Sequence, residues 1–151
     1  MNTFRERDIR IAIHDLLEQT DAFDGVYLTG LPEARGEPAD DAQAVSIEPS
    51  KTTSSDVSDD DNGDLLLTCQ VDLVFLARHE NPWVRDENVE RLLNVAADAL
   101  SGQSLGGATI PAKTRIVAWT WQKPAAPERR ITAALQFQYL VAGWTGFNTD
   151  E

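Results

Sequence analysis

The sequence predicts an α+β domain: a mainly antiparallel sheet of about four to five strands, two helices packed on one face of it, and a long β-hairpin with an acidic tip. Three observations carry this. In Leu65 to Ala77 every second residue is apolar (Leu65, Leu67, Cys69, Val71, Leu73, Phe75, Ala77), and Thr68, Gln70 and Asp72 fall between them. Ile131 to Ala142 repeats the alternation with Ile131, Ala133, Leu135, Phe137, Tyr139 and Val141 on one row and Thr132, Gln136 and Gln138 on the other. Two further segments space their apolar residues by three and four. Period two places side chains on alternate faces of a strand, and the three-four spacing makes one stripe on a helix.

In chain order, Thr3-Phe4-Arg5-Glu6 has the form of a capping box, so a helix is expected to start there. Its stripe is Ile9, Ala12, Ile13, Leu16 and Leu17, ending near Gln19, with Arg7, Arg10 and Asp15 on the solvated side and His14 beside the stripe. Asp24-Gly25 marks a turn and Val26 to Thr29 a short strand, followed by an aperiodic Gly-, Pro- and acid-rich loop over 30–43. Ala44 to Glu48 reads as a strand stopped by Pro49.

Residues 50–64, SKTTSSDVSDDDNGD, hold almost nothing apolar and cannot order themselves by burial. Between two strands they form the expected flexible hairpin tip, with Asp56, Asp59, Asp60, Asp61 and Asp64 solvated. An EF-hand frame fails here: Gly63 at its glycine position would put Ser58 at the first ligand position and Cys69 where the bidentate acid belongs. No metal or cofactor is expected.

The alternating strand 65–77 would run roughly 43 Å at about 3.3 Å per residue, well beyond the usual five or six residues. A long hairpin or a ring-like assembly uses such a length. His79-Glu80-Asn81-Pro82 breaks the pattern; no second His follows Glu80 at zinc-protease spacing, so it is a turn, with Asn81 placed to cap and Pro82 to lead in. Val89, Leu92, Leu93, Ala96, Ala97 and Leu100 make the second helical stripe, ended by Ser101-Gly102. A loop precedes the strand Thr114 to Trp121, in which simple alternation puts Trp119 and Trp121 on the side of Val117, facing the core or, failing that, a subunit interface. QKPAAPERR joins it to the final strand, and the tail 143–151 carries Trp144 and Phe147, expected to dock on this chain or a neighbour.

The chain's 151 residues suffice for one core without disulfides, and the single cysteine, Cys69, falls on the apolar row as a small buried hydrophobe. A formal charge of −12, from 25 acidic and 13 basic residues, argues against a reader of nucleic-acid phosphates. The start, MNTFRERDIR, is charged where a signal peptide would be apolar, and no run approaches a membrane span. The expected location is the cytoplasm or a particle assembled there. Gly102-Gln103-Ser104-Leu105-Gly106 fits the letters GxSxG, but the serine follows a helix and leads into a Gly-Gly loop, not from a strand into a helix. With only His14 and His79 as bases, no catalytic residues are expected.

The order of elements resembles the tail terminator, or tail completion, proteins of long-tailed phages and related phage-like particles. RDIRIAIHDLLEQ, LTCQVDLVFLARHEN, ENVERLLNVAADALSG and RRITAALQFQYLV carry the resemblance, which covers nearly the whole chain as one domain, 1–151. It implies a structural virion protein of the tail and neck. Such a protein forms a homohexameric ring that ends the tail tube and joins it to the head-completion or connector protein, with DNA only as passing cargo. The acidic tip and the aromatic tail depart from the pattern. The assembly residues expected on this reading are Asp56, Asp59, Asp60, Asp61, Asp64, Asp72, Trp144 and Phe147. A neck or secretion-system adaptor of the same fold is the alternative. A small-molecule-binding or enzymatic α+β domain is another, with Gln70, Asp72, Gln136 and Gln138 lining its pocket.

Overall fold

Amphipathic spacing dictates which side of each element is buried, and the chain assembles accordingly. The computed structural model describes residues 4–28, 30, 31, 41–56 and 64–141. Helix α1 spans Glu6–Gln19 and α2 Pro82–Leu100; strands β1 Gly25–Tyr27, β2 Gln43–Asp56, β3 Leu65–Arg78, β4 Arg115–Trp121 and β5 Glu128–Val141 form one open sheet in the order β1-β2-β3-β5-β4. The sheet is mixed: β1 runs parallel to β2, and every other pairing is antiparallel. The fold is α+β, as the two periodicities require.

Both helices lie on one face. The core joins Ile9, Ile13 and Leu17 of α1 and Val89, Leu92, Ala96 and Leu100 of α2 to the apolar rows of β3 and β5, among them Leu73, Phe75, Leu135 and Phe137. β3 and β5 pair without interruption from Leu65↔Val141 to Arg78↔Glu128, so their apolar rows share one register and bury as a single surface. On the other face a smaller cluster of Leu31, Ala44 and Leu76 covers one end.

Three local readings are revised. The capping box is not how α1 begins: Arg5 is the N-cap without a side-chain cap bond, and Thr3 lies outside the described residues. Glu6 is drawn instead to the sheet, accepting from Thr52 Oγ1 at 2.6 Å. Pro49 does not stop β2, because β1 ends its pairing at Ser46 and leaves Pro49 on an edge, where its missing N–H costs no ladder bond. A bulge at Ser50 restores pairing from Lys51↔Gln70 to Asp56↔Leu65. Residues 50–56, expected in the tip, are therefore strand, because β3 supplies the backbone partners that their polar side chains cannot replace.

The second helix starts as expected and earlier than its stripe. Asn81 Oδ1 accepts from the N–H groups of Trp83 at 2.9 Å and Val84 at 3.4 Å, with Pro82 at the first position. Gly102, at φ 74°, supplies the left-handed residue that ends it, and its N–H donates to Thr114 O at 3.0 Å.

Candidate functional site

The first candidate surface is the sheet face turned away from the helices. Val71 and Leu73 are buried, so Asp72 between them points to that face, beside Gln70 and Thr68. From β5, Gln136 stands opposite Gln70 and Gln138 opposite Thr68, the latter pair joined by Gln138 Nε2 donating to Thr68 Oγ1 at 3.0 Å. Gln70 Nε2 donates to Asp72 Oδ1 at 3.2 Å and to Ser50 Oγ at 3.4 Å. On β2, Glu48 faces Asp72 directly and accepts from Ser46 Oγ at 3.0 Å. No arginine among the described residues pairs with Asp72. The face is thus a flat array of amides and hydroxyls around two carboxylates, suited to hydrogen bonding with another surface.

The acidic tip and the tail are reached only at their margins. Asp56 closes β2 opposite Leu65, and Asp64 is half-buried just before β3. Asp59, Asp60, Asp61, Trp144 and Phe147 lie outside the described residues.

The second surface was hidden by a bulge. In β4, Ile116 pairs with Leu135 and Ala118 with Ala134, which leaves Val117 as an extra residue. Beyond it Trp119 pairs with Ala133 and Trp121 with Ile131, so both tryptophans share the helix-side face with Ile116 and not with Val117. They do not enter the core. β4 is an edge strand, and Trp119 and Trp121 remain 56% and 37% exposed beside α2, where Trp83 is 77% exposed. Two clefts result. One, of about 380 Å³, is lined by Trp83, Asp86, Glu87, Glu90 and Trp121. The other, of about 460 Å³, runs from Glu90 and Leu93 past Asn94 and Ala97 to Ile116, Trp119 and Trp121. Exposed aromatic surface rimmed by charge is characteristic of interaction sites.

Arg129 organises the first cleft. Its guanidinium carbon sits 4.9 Å from the centre of the Trp121 ring, and its Nε is 3.5 Å from Asp86 Oδ1, an ion pair too long for a good hydrogen bond. Glu87 and Glu90 are exposed and make no ion pair among the described residues. Gln70, Asp72, Gln136 and Gln138 line neither of these clefts.

A buried titratable cluster ties α1 to the sheet. Burial, eased by the Thr52 contact at 3.7 Å and reinforced by the Glu6 charge, pushes the Cys69 thiol up to about 11. Burial also raises Tyr139, against the lowering effect of the Arg5 N–H, which donates to its hydroxyl at 3.1 Å. A protonated, enclosed thiol is a poor nucleophile.

Ser104 follows α2 and precedes a 3-10 turn at Leu105–Gly107, so no strand-to-helix elbow presents it. His14 contacts Asp15 at 3.0 Å and Glu18 at 3.1 Å, and His79 Nδ1 accepts from Asn81 N at 3.0 Å. Among the described residues neither ring hydrogen-bonds to Ser104. Among the described residues no group of three or more His, Cys, Asp or Glu is arranged to hold a metal, and no helix is long and apolar enough to cross a membrane.

No protein-family description matches the chain, and no curated protein matches it. Among solved structures it is similar to a chain from the virion of a native gene transfer agent particle, at 15% identity and a TM-score of 0.49, covering 89% of this chain and 96% of that one. At that identity and score the likeness says nothing of function.

Proposed function

We propose that this chain is a structural protein of a phage-like particle, resembling a tail terminator: a ring at the head-proximal end of the tail tube that stops its growth and joins it to the neck. The observation that carries this reading is the sheet itself. β2, β3 and β5 are each 14 residues long, roughly 46 Å at about 3.3 Å per residue, and most of one sheet face carries no covering element among the described residues. Strands of that length extend beyond what two helices of 14 and 19 residues cover, leaving a flat polar face and long edges for neighbouring copies. The element order along the chain supports the same assignment through its resemblance to the terminator pattern.

In this reading the partners are other copies of the chain, the tail tube protein and a head-completion or connector protein. The net charge of −12 lets DNA pass through the channel by like-charge repulsion. The role is structural, without a catalytic step, in a virion assembled in the host cytoplasm. Native mass spectrometry at micromolar concentration tests it: a closed ring, with six copies expected, supports the proposal. A strictly monomeric protein absent from purified particles refutes it. Co-sedimentation with polymerised tube protein distinguishes a terminator from a neck adaptor.

A further inference from the structure

We infer that the acidic tryptophan cleft between α2 and β4 receives the Arg7–Arg10 face of α1 from a second copy of the chain. The inference rests on the ring reading and supplies it with a contact. Two concave surfaces of opposite character lie on opposite flanks of the helix layer. On the β4 flank, Trp83 and Trp121 are exposed and face Glu87 and Glu90, carboxylates that make no ion pair among the described residues. On the β1 flank, Arg7, Arg10, Ile11 and Leu28 line a cleft of about 270 Å³. Arg7 and Arg10 stand three residues apart on α1, with Ile11 four from Arg7, so the two guanidinium groups and one aliphatic side chain share a face. Neither arginine makes an ion pair among the described residues, and Arg10 Nε is buried without a hydrogen-bond partner.

The chemistry of the two surfaces matches. Tryptophan is the ring best suited to a guanidinium, and Arg129 stacked on Trp121 at 4.9 Å shows that this site accepts one. Glu87 and Glu90 supply carboxylates for two further arginines, while Ile11 and Leu28 meet the indole surface. α1 contacts β1 and β2, α2 contacts β2, β3, β5 and β4, and β1 and β4 are the two edges of the sheet. A contact from one flank to the other is heterologous, joining different patches head to tail, and such a contact generates a ring when its rotation closes. A chain of net charge −12 repels its copies at long range, so association needs a local pairing of opposite sign.

The test uses sedimentation velocity on the full chain at micromolar concentration, with circular dichroism to verify folding. Arg7→Glu with Arg10→Glu, and separately Glu87→Arg with Glu90→Arg, each weaken self-association by at least roughly tenfold, since each opposes like charges across the contact. Mixing the two variants restores assembly, because each then meets a complementary neighbour. Trp83→Ala, at a fully folded and exposed position, weakens association without altering charge. If the wild type assembles and all these variants assemble equally well, the cleft has another occupant; this inference fails and the ring reading stands. If the wild type is monomeric at every concentration, both fail.

Discussion

Asp72 stands directly opposite Glu48 across the β2–β3 ladder, so two carboxylates share one row of the uncovered sheet face. Like charges in that relation are unfavourable, and each is eased by one local donor, Gln70 for Asp72 and Ser46 for Glu48. Asp72→Asn removes the repulsion and keeps the shape. Urea denaturation is expected to show a folded protein whose stability is unchanged or raised by roughly 0.2–1 kcal/mol. A loss of stability would mean that Asp72 has a favourable partner within the fold. Reduced assembly of the folded variant would mark the carboxylate as an interface group.

The raised thiol and phenol make stability fall on the alkaline side. The folded Cys69 holds its proton up to about 11 against 9.0 for an ordinary thiol, so the folded state binds more protons in that interval and loses stability as pH rises through it. The contribution is fully present below pH 9 and amounts to about 1.4 kcal/mol for each unit of difference. Tyr139 is shifted in the same direction and adds to the loss. Unfolding midpoints between pH 8 and 11 measure it, and Cys69→Ala should flatten the decline while leaving the tyrosine part. A flat profile in the wild type would contradict the buried-thiol geometry. At pH 8 the native protein should resist a thiol reagent that labels it readily in urea.

The start of α1 depends on the sheet for its fixing. Thr52→Val deletes the hydroxyl that Glu6 accepts from, and Tyr139→Phe deletes the acceptor of the Arg5 N–H. Each is expected to cost about 0.5–1.5 kcal/mol. Hydrogen exchange localises the effect: amides of the first turn of α1 should lose protection ahead of those near Leu17. Uniform loss across the domain would show that the contacts act on global stability alone.

Asn81 caps the longest helix. Replacing it with Ala removes the acceptor shared by Trp83 N and Val84 N and is expected to cost about 1 kcal/mol, within a range of roughly 0.5–2. Asn81→Ser or Asn81→Asp should retain most of the stability. Thermal unfolding of the three variants checks the ranking, and equal melting of all three would remove the cap from the account.

What could be read in advance follows from how local the determinants are. β3, β5 and α2 announce themselves because one buried row or stripe dominates each, and tertiary context only confirms the period. The far half of β2 is a different case: Lys51, Thr52, Thr53 and Ser54 are exposed, and they form a strand because β3 lies beside them, a fact no window of polar residues contains. The N-cap of α1 was misread for a similar reason, since Glu6 is engaged by Thr52 from 46 positions away. Asp72 was placed on the uncovered face by alternation alone, whereas its neighbour Glu48 depends on a pairing register. The tryptophan cleft was not legible, because simple alternation runs through Val117 as if it were an ordinary strand residue.

Val117 works as a phase shifter for everything after it in β4. Were Val117 paired as an ordinary strand residue, Trp119 would fall opposite Thr132 and Trp121 opposite Arg130, on the face with Asp72, and the acidic rim of α2 would lose its aromatic wall. Both indoles move together with the bulge, so in this fold the side of the sheet that presents aromatic surface is set by a single unpaired residue.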